Sequence, residues 1–221
     1  MNSSFVPLSS LGAGFSNEAL GSQAVFRAVL KALSHPGREV PVVHDAQTPP
    51  AGHGAAAAVL LALLDSDCTL WLSPRLAASD AGAWLRFHTG CSLVSEPAQA
   101  RFIWVAQGDA LPALRSLAQG SDTYPDQSAT CVVDVAHTAS ATVGTAGAWH
   151  MTGPGIQGAI ALSVDGLPDD FEDQWGANHA VFPRGVDVLL GAAKHIVGLP
   201  RTTFATRVAA LASAALQPEE V

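Results

Sequence analysis

Apolar and polar positions repeat along this chain with two different periods, and the changes of period divide it into helices and strands. Phe26, Val29, Leu30 and Leu33 fall at i, i+3, i+4 and i+7, with Arg27 and Lys31 on the opposite side. This spacing predicts a helix, capped by Ser16 or Asn17 and stopped by Ser34-His35-Pro36-Gly37. Residues 40–43 read as a strand. The run 55–64, in which Ala and Leu dominate, reads as a buried helix. Further on, the pattern predicts a strand at 69–73, a short helix at 80–88, a strand at 102–106, a helix at 111–118 and a strand at 131–136. Helices alternating with strands imply an α/β layered fold.

Beyond Ala141 the pattern becomes strands joined by turns. Segments 142–152 and 159–164 flank Gly153-Pro154-Gly155, where Pro followed by Gly at the two central positions is the preference of a type II turn. A polar helix at 167–178 precedes a hairpin of 186–190 and 195–199, and the Ala-rich stretch 205–216 reads as a closing helix. The expected architecture is a mixed β-sheet flanked by helices. It forms one domain over residues 17–216, between a flexible arm at 1–16 and a short tail at 217–221.

With 221 residues, 48% of them hydrophobic, the chain has material for one sizeable core. The formal charge of −8 and the lack of a basic run exclude a nucleic-acid surface from the expectations. Only 14% of residues are charged, which points to surface covered in an oligomer or a larger assembly. Cys68, Cys91 and Cys131 are an odd, widely spaced set without a disulfide framework, and this fits a reducing cytoplasm. The longest apolar run is half of what a bilayer span needs and no basic leader precedes it, so neither a membrane segment nor a signal peptide is expected.

Chemistry is sparse in the sequence. There is no phosphate loop, and Gly12-Ala13-Gly14 lacks the preceding strand and third glycine of a dinucleotide fingerprint. His88 and Cys91 are spaced as half a metal site without a second pair of ligands, so no metal is expected. His35 reads as a turn residue. Lys31 and Lys194, the two lysines, fall where exposed side chains belong, a poor setting for a Schiff base, and no cofactor is expected. No residue stands out as catalytic.

The C-terminal hairpin is the informative part. If residues 191–194 form its connection, Leu190 faces His195, Arg184 faces Arg201 and Asp187 faces Gly198. Two opposed arginines imply an anion between them, a phosphate, a carboxylate or a partner's acidic side chain, with Thr202 beside it. The alternative is that Pro183 and Pro200 splay the strand ends and let both arginines reach water. Asp187, inside an apolar strand, needs a partner if buried, and Arg86 is the candidate for a structural ion pair.

Six segments in a fixed order carry a resemblance: residues 26–37 (Phe-Arg-Ala-Val-Leu-Lys-Ala-Leu-Ser-His-Pro-Gly), Leu63-Leu64-Asp65-Ser66-Asp67, Trp84-Leu85-Arg86-Phe87-His88-Thr89, Met151-Thr152-Gly153-Pro154-Gly155-Ile156, Phe182-Pro183-Arg184-Gly185-Val186-Asp187 and Gly198-Leu199-Pro200-Arg201-Thr202-Thr203. Over residues 26–203 the chain resembles the H-subunit family of the bacterial carbon-phosphorus lyase core complex. The resemblance implies a pyridoxal-phosphate transferase fold without the cofactor lysine, a homodimer, a cytoplasmic setting, and the other core subunits as partners. It also implies participation in joining methylphosphonate to the ribose carbon of ATP, with release of adenine, to give ribose 1-methylphosphonate 5-triphosphate. Two roles stand open: a structural and interaction subunit, or one contributing part of an ATP or phosphonate site through Arg184 and Arg201.

Overall fold

The computed structural model describes residues 11–208. Helix α1 (Glu18–Ser34) starts at Asn17, whose side chain accepts the Leu20 N–H, and ends at His35, where Gly37 turns the chain at a positive φ. Strand β1 (Glu39–Pro41) and helix α2 (Gly54–Leu63) follow. Next come β2 (Thr69–Leu72), the short helices α3 (Pro74–Ala77) and α4 (Ala81–Thr89), β3 (Ser92–Leu93) and β4 (Phe102–Val105). The second half contains β5 (Thr130–Asp134), β6 (His137–Ala141), β7 (Trp149–Thr152), β8 (Ile160–Asp165), helix α5 (Phe171–Ala180), β9 (Asp187–Gly191), β10 (His195–Leu199) and β11 (Phe204–Arg207).

The expected mixed sheet flanked by helices is present. Seven strands run in the order β1-β10-β9-β5-β4-β2-β3, parallel from β9 to β3, with β10 antiparallel to both its neighbours. A second sheet, β11-β7-β8-β6, is antiparallel throughout. Alternation along the central strands builds two cores. Trp104, Val132, Leu189 and Ile196 point to the α1, α2 and α4 side. Ile103, Val105, Cys131, Val133, Val188, Leu190, Val197 and Leu199 meet Trp149, Met151 and Leu162 of the small sheet and Phe171 and Trp175 of α5. Such two-sided burial is why these strands are apolar at nearly every position. Gly155 takes φ +83° and Ile156 N–H donates to the Gly153 carbonyl, as a type II turn requires.

Several expectations are corrected. Residues 111–118 form one 3-10 turn, Leu114–Ser116, because Gln174 of α5 accepts the Leu114 N–H and the chain then turns to bridge Gln119 with Ser128. Residues 205–207, expected to begin a helix, instead pair with β7 as part of β11, where Ala205 is buried against the small sheet and tertiary pairing overrides its helix propensity; residues 209–216 of that expected helix lie outside the described residues. Helix α1 buries Val25, Val29 and Ala32, while Phe26 and Leu30 are about half exposed. Of the expected arm, residues 11–16 are held: Gly12 O accepts from Trp84 and His88, Ala13 N–H donates to Gln47 Oε1, and Ser16 bonds Asp45.

The hairpin is the largest correction. Gly191 pairs with Ile196 and Leu190 with Val197, and Ala192 N–H donates to His195 O across a two-residue loop of Ala193 and Lys194. The register is two residues from the one expected. A slip of two keeps every side chain on its face and changes every rung partner. Arg184 and Arg201 are therefore not opposed.

Candidate functional site

A cavity of about 640 Å³ opens over the carboxyl ends of the parallel strands. Each strand delivers residues just past its end: Arg75 after β2, Gln107 and Gly108 after β4, Asp134 at the end of β5, and Ala193 after β9. The remaining wall is 50–54, the loop that enters α2. From β2 the chain runs outward to β3, whereas from β4 it runs the other way to β5, so the strand order reverses beside this cavity. Open α/β sheets bind ligands at such a reversal.

Asp134 is 1% exposed, yet both carboxylate oxygens have donors: Oδ1 accepts the Trp104 indole N–H at 3.2 Å and Oδ2 the His53 backbone N–H at 2.9 Å. Burial pushes its pKa up to about 6, against the pull of these two hydrogen bonds. The carboxylate thus fixes the residue that starts α2. A side chain at Gly52 would run into the Trp104 ring, which makes that glycine the residue that lets the loop lie on the sheet. His53 makes no side-chain cap to α2; its Nε2 lies 3.2 Å from Gln107 Oε1 and its buried Nδ1 has no partner. Arg75 is anchored by Asp109, which accepts its backbone N–H at 2.9 Å and faces its Nε at 3.4 Å, and by Gln107 O, which accepts from Nη1 at 3.0 Å. Against desolvation, a hydrogen bond from the Ser73 side chain, then the Arg75 backbone N–H and the Arg75 charge, hold the Asp109 pKa below the ordinary carboxylate value.

The residues singled out from the sequence lie elsewhere. Arg201 sits at the far end of β10, where Nε and Nη2 grip the two oxygens of Asp187 at 3.1 and 2.6 Å, its backbone N–H bonds Oδ1 at 2.8 Å, and Nη1 reaches Pro125 O at 2.9 Å. Asp187 has its structural partner, therefore, but it is Arg201 and not Arg86, which is exposed on α4. Arg184 stands in the turn before β9 and faces Asp122 at 3.3 Å in an open surface pair. Arg184 and Arg201 do not face each other across the hairpin: Arg201 is gripped by Asp187, and Arg184 meets Asp122 at the surface; Thr202 follows Arg201 in the connection to β11. His35 Nδ1 lies within reach of Ser34 Oγ and Lys31 O at an exposed helix end. His88 serves residue 12, and burial raises the Cys91 thiol pKa.

One further cluster joins the two sheets. Thr138 of β6 donates to Glu39 of β1 at 2.7 Å, and His195 Nε2 of β10 lies 2.6 Å from the Thr138 hydroxyl and 3.1 Å from Glu39. A hydroxyl, an imidazole and a carboxylate meet here, but one ring nitrogen faces both oxygens, whereas a proton relay uses the two nitrogens separately. The cluster is a tie between layers.

Sequence reasoning missed the cavity residues. The available signal was a carboxylate, Asp134, closing the apolar run Thr130-Cys131-Val132-Val133, and a Gly-His-Gly step at 52–54 before an Ala-rich helix. Neither belongs to a named motif.

Comparison with known proteins decides the family. The family model described as bacterial phosphonate metabolism protein (PhnH) matches residues 13–206. This chain belongs to the PhnH family. A Rhizobium meliloti relative, "Alpha-D-ribose 1-methylphosphonate 5-triphosphate synthase subunit PhnH", is 38% identical over 192 residues, 86% of this chain and 92% of the relative. A second, "Putative C-P lyase subunit protein HtxG" of Stutzerimonas stutzeri, is 34% identical over 186 residues, 84% of this chain and 86% of that protein. The PhnH model reaches from the tethered segment after Gly12 into β11, so it takes in both sheets and every cavity residue. Among the described residues no helix is long and apolar enough to cross a membrane.

Proposed function

We propose that this chain is a subunit of a cytoplasmic assembly that forms ribose 1-methylphosphonate 5-triphosphate from ATP and methylphosphonate during phosphonate use, and that its part is structural and interactive. The observation that carries the proposal is the match along 92% of the relative that bears the synthase-subunit name. The interactive role is supported by apolar side chains left outside: Phe26 and Leu30 on α1, and Phe182 and Phe204 near the end of α5, each about half exposed. One such face would serve a two-fold homodimer and the other a companion subunit.

The larger sheet is read as a pyridoxal-phosphate transferase core. Its single reversed strand next to one edge, and a cavity over the carboxyl ends of the others, support this reading. Both lysines are exposed and neither lines the cavity.

Size-exclusion chromatography with light scattering is the test. The purified chain alone should elute at twice its 22.7 kDa, and on co-expression it should elute with the companion subunits. A chain that stays monomeric and never co-elutes would contradict the interactive role.

A further inference from the structure

We propose that the outer face of α1 docks an acidic surface of a companion subunit, with Phe26 and Leu30 as apolar anchors and Arg27 and Lys31 as the charged side of the contact. The proposal rests on the interactive role above and assigns the occupant of one of its faces.

Helix α1 turns Val25, Val29 and Ala32 into the core and leaves its opposite side uncovered among the described residues. At 3.6 residues per turn Leu30 stands about 40° round from Phe26, and Arg27 and Lys31 stand about 100° further round than these two. Phe26 is 44% exposed and Leu30 51%. The four side chains form one band, apolar along one flank and cationic along the other. Arg38, just past the turn at Gly37, adds a third exposed cation.

Nothing inside the chain accounts for the band. Two large apolar side chains one helical turn apart make a patch rather than a scattered exposure. Arg27 and Lys31 are four apart, where like charges repel along a helix. Neither they nor Arg38 pairs with a carboxylate among the described residues. The helix dipole favours Lys31, which lies in the last turn, but its influence fades before Arg27.

Charge identifies the occupant. Residues 19–38 hold three of the chain's eleven basic side chains and none of its nineteen acidic ones. Glu39, the next carboxylate along the chain, is engaged by Thr138 and His195. On a chain of net charge −8 this is a cationic face on an anionic molecule. A second copy related by a two-fold axis does not fit, because such a contact lays the patch on itself and sets cations against cations. A partner presenting carboxylates beside an apolar recess does fit: opposite potentials fix the register, and the anchors hold it.

In the experiment the full chain is co-expressed with its companion subunits, one of them tagged, and the amount retained per tagged subunit is measured. The double variant Arg27→Glu/Lys31→Glu is compared with Arg86→Glu/Arg115→Glu, which makes the same change of net charge at exposed positions on other elements. Separately, p-benzoylphenylalanine in place of Leu30 reports by photocrosslinking what lies on the face. Thermal unfolding of each variant checks the fold.

Reversal on α1 should lower retention by about 10-fold or more, while the control pair is retained as the parent is. The crosslinker should join a companion subunit at a segment rich in Asp and Glu. The proposal is overturned if a folded α1 variant is retained like the parent, if both double variants fall equally, or if the crosslinker fails to join a companion subunit and marks another copy of this chain or its own residues 209–221 instead. With the parent still retained, each of these failures leaves the interactive role standing; a parent that is not retained overturns both.

Discussion

Arg201→Ala should lower the unfolding free energy by about 3 kcal/mol, while Arg184→Ala should change it by less than about 0.5 kcal/mol. The contrast follows from surroundings, since both are arginines beside aspartates. The Arg201 side chain is 12% exposed and its Asp187 partner 24%; the guanidinium also bonds Pro125 O and Ser128, so its removal strands a carboxylate and two acceptors. Arg184 is 47% exposed and Asp122 80%, and water takes over when the pair is broken. Arg201→Lys should recover part of the loss, since an ammonium keeps the charge but cannot reproduce the two-point grip on Asp187. Urea unfolding followed by tryptophan fluorescence measures all three. Equal losses for Arg201→Ala and Arg184→Ala would show that the Asp187 pair is solvated and weak.

Trp104→Ala should cost about 3 to 5 kcal/mol, the range for deleting a fully buried large aromatic. Trp104 is 0% exposed, stands at the centre of the sheet on the α2 side, and gives its indole N–H to Asp134. Trp104→Phe should lose less in volume while still removing that N–H, so its cost should fall between Ala and the parent. The same pair gives a pH signature. Burial raises the folded pKa of Asp134 to about 6, above an unfolded value near ~3.9, so between these limits the folded state holds more protons than the unfolded one. The stabilising contribution of the protonated carboxyl is complete below about 4 and is lost as pH rises to about 6, a span of at most about 3 kcal/mol. Other carboxylates, among them Asp109, run the opposite way at lower pH, so the diagnostic is the difference between the parent and Asp134→Asn. That difference should change between pH 4 and pH 6 and be flat from pH 7 to pH 8. A difference that is flat throughout would mean that Asp134 is not desolvated.

How much of this was legible in the sequence depended on whether a local or a long-range contact decided the outcome. Asn17 capping α1, the Gly153-Pro154-Gly155 turn and the apolar runs of β4, β5, β9 and β10 are written in neighbouring residues, and they could be read. The Asp187 position showed that a partner was needed, but choosing between Arg86 and Arg201 required the register. Hydrophobic alternation fixes which face a residue takes and is blind to a slip of two, so the length of the β9–β10 loop remained open, and with it the rung partners. Residues 111–118 were misread because Gln174, sixty positions away, supplies the bond that a helix would have made. Both faces of α1 carry apolar side chains, so periodicity chose Phe26 and Leu30 where packing buries Val25 and Ala32. The cavity was invisible for a related reason: one loop, 50–54, supplies half of its residues, the rest come one or two at a time from the ends of four strands, and only the strand order brings them together.

Membership of the PhnH family places the chain among phosphonate metabolism proteins, and the central claim is that the synthesis needs it without being carried out by it alone. Drop-out reconstitution tests that claim most directly: the companion subunits are incubated with ATP and methylphosphonate, with and without this chain, and adenine release is followed. Adenine release is expected from the complete set, none above background when this chain is omitted, and none from this chain by itself. Adenine released at the full rate without it, or by the pure chain in a reaction that one point substitution abolishes, would contradict the account.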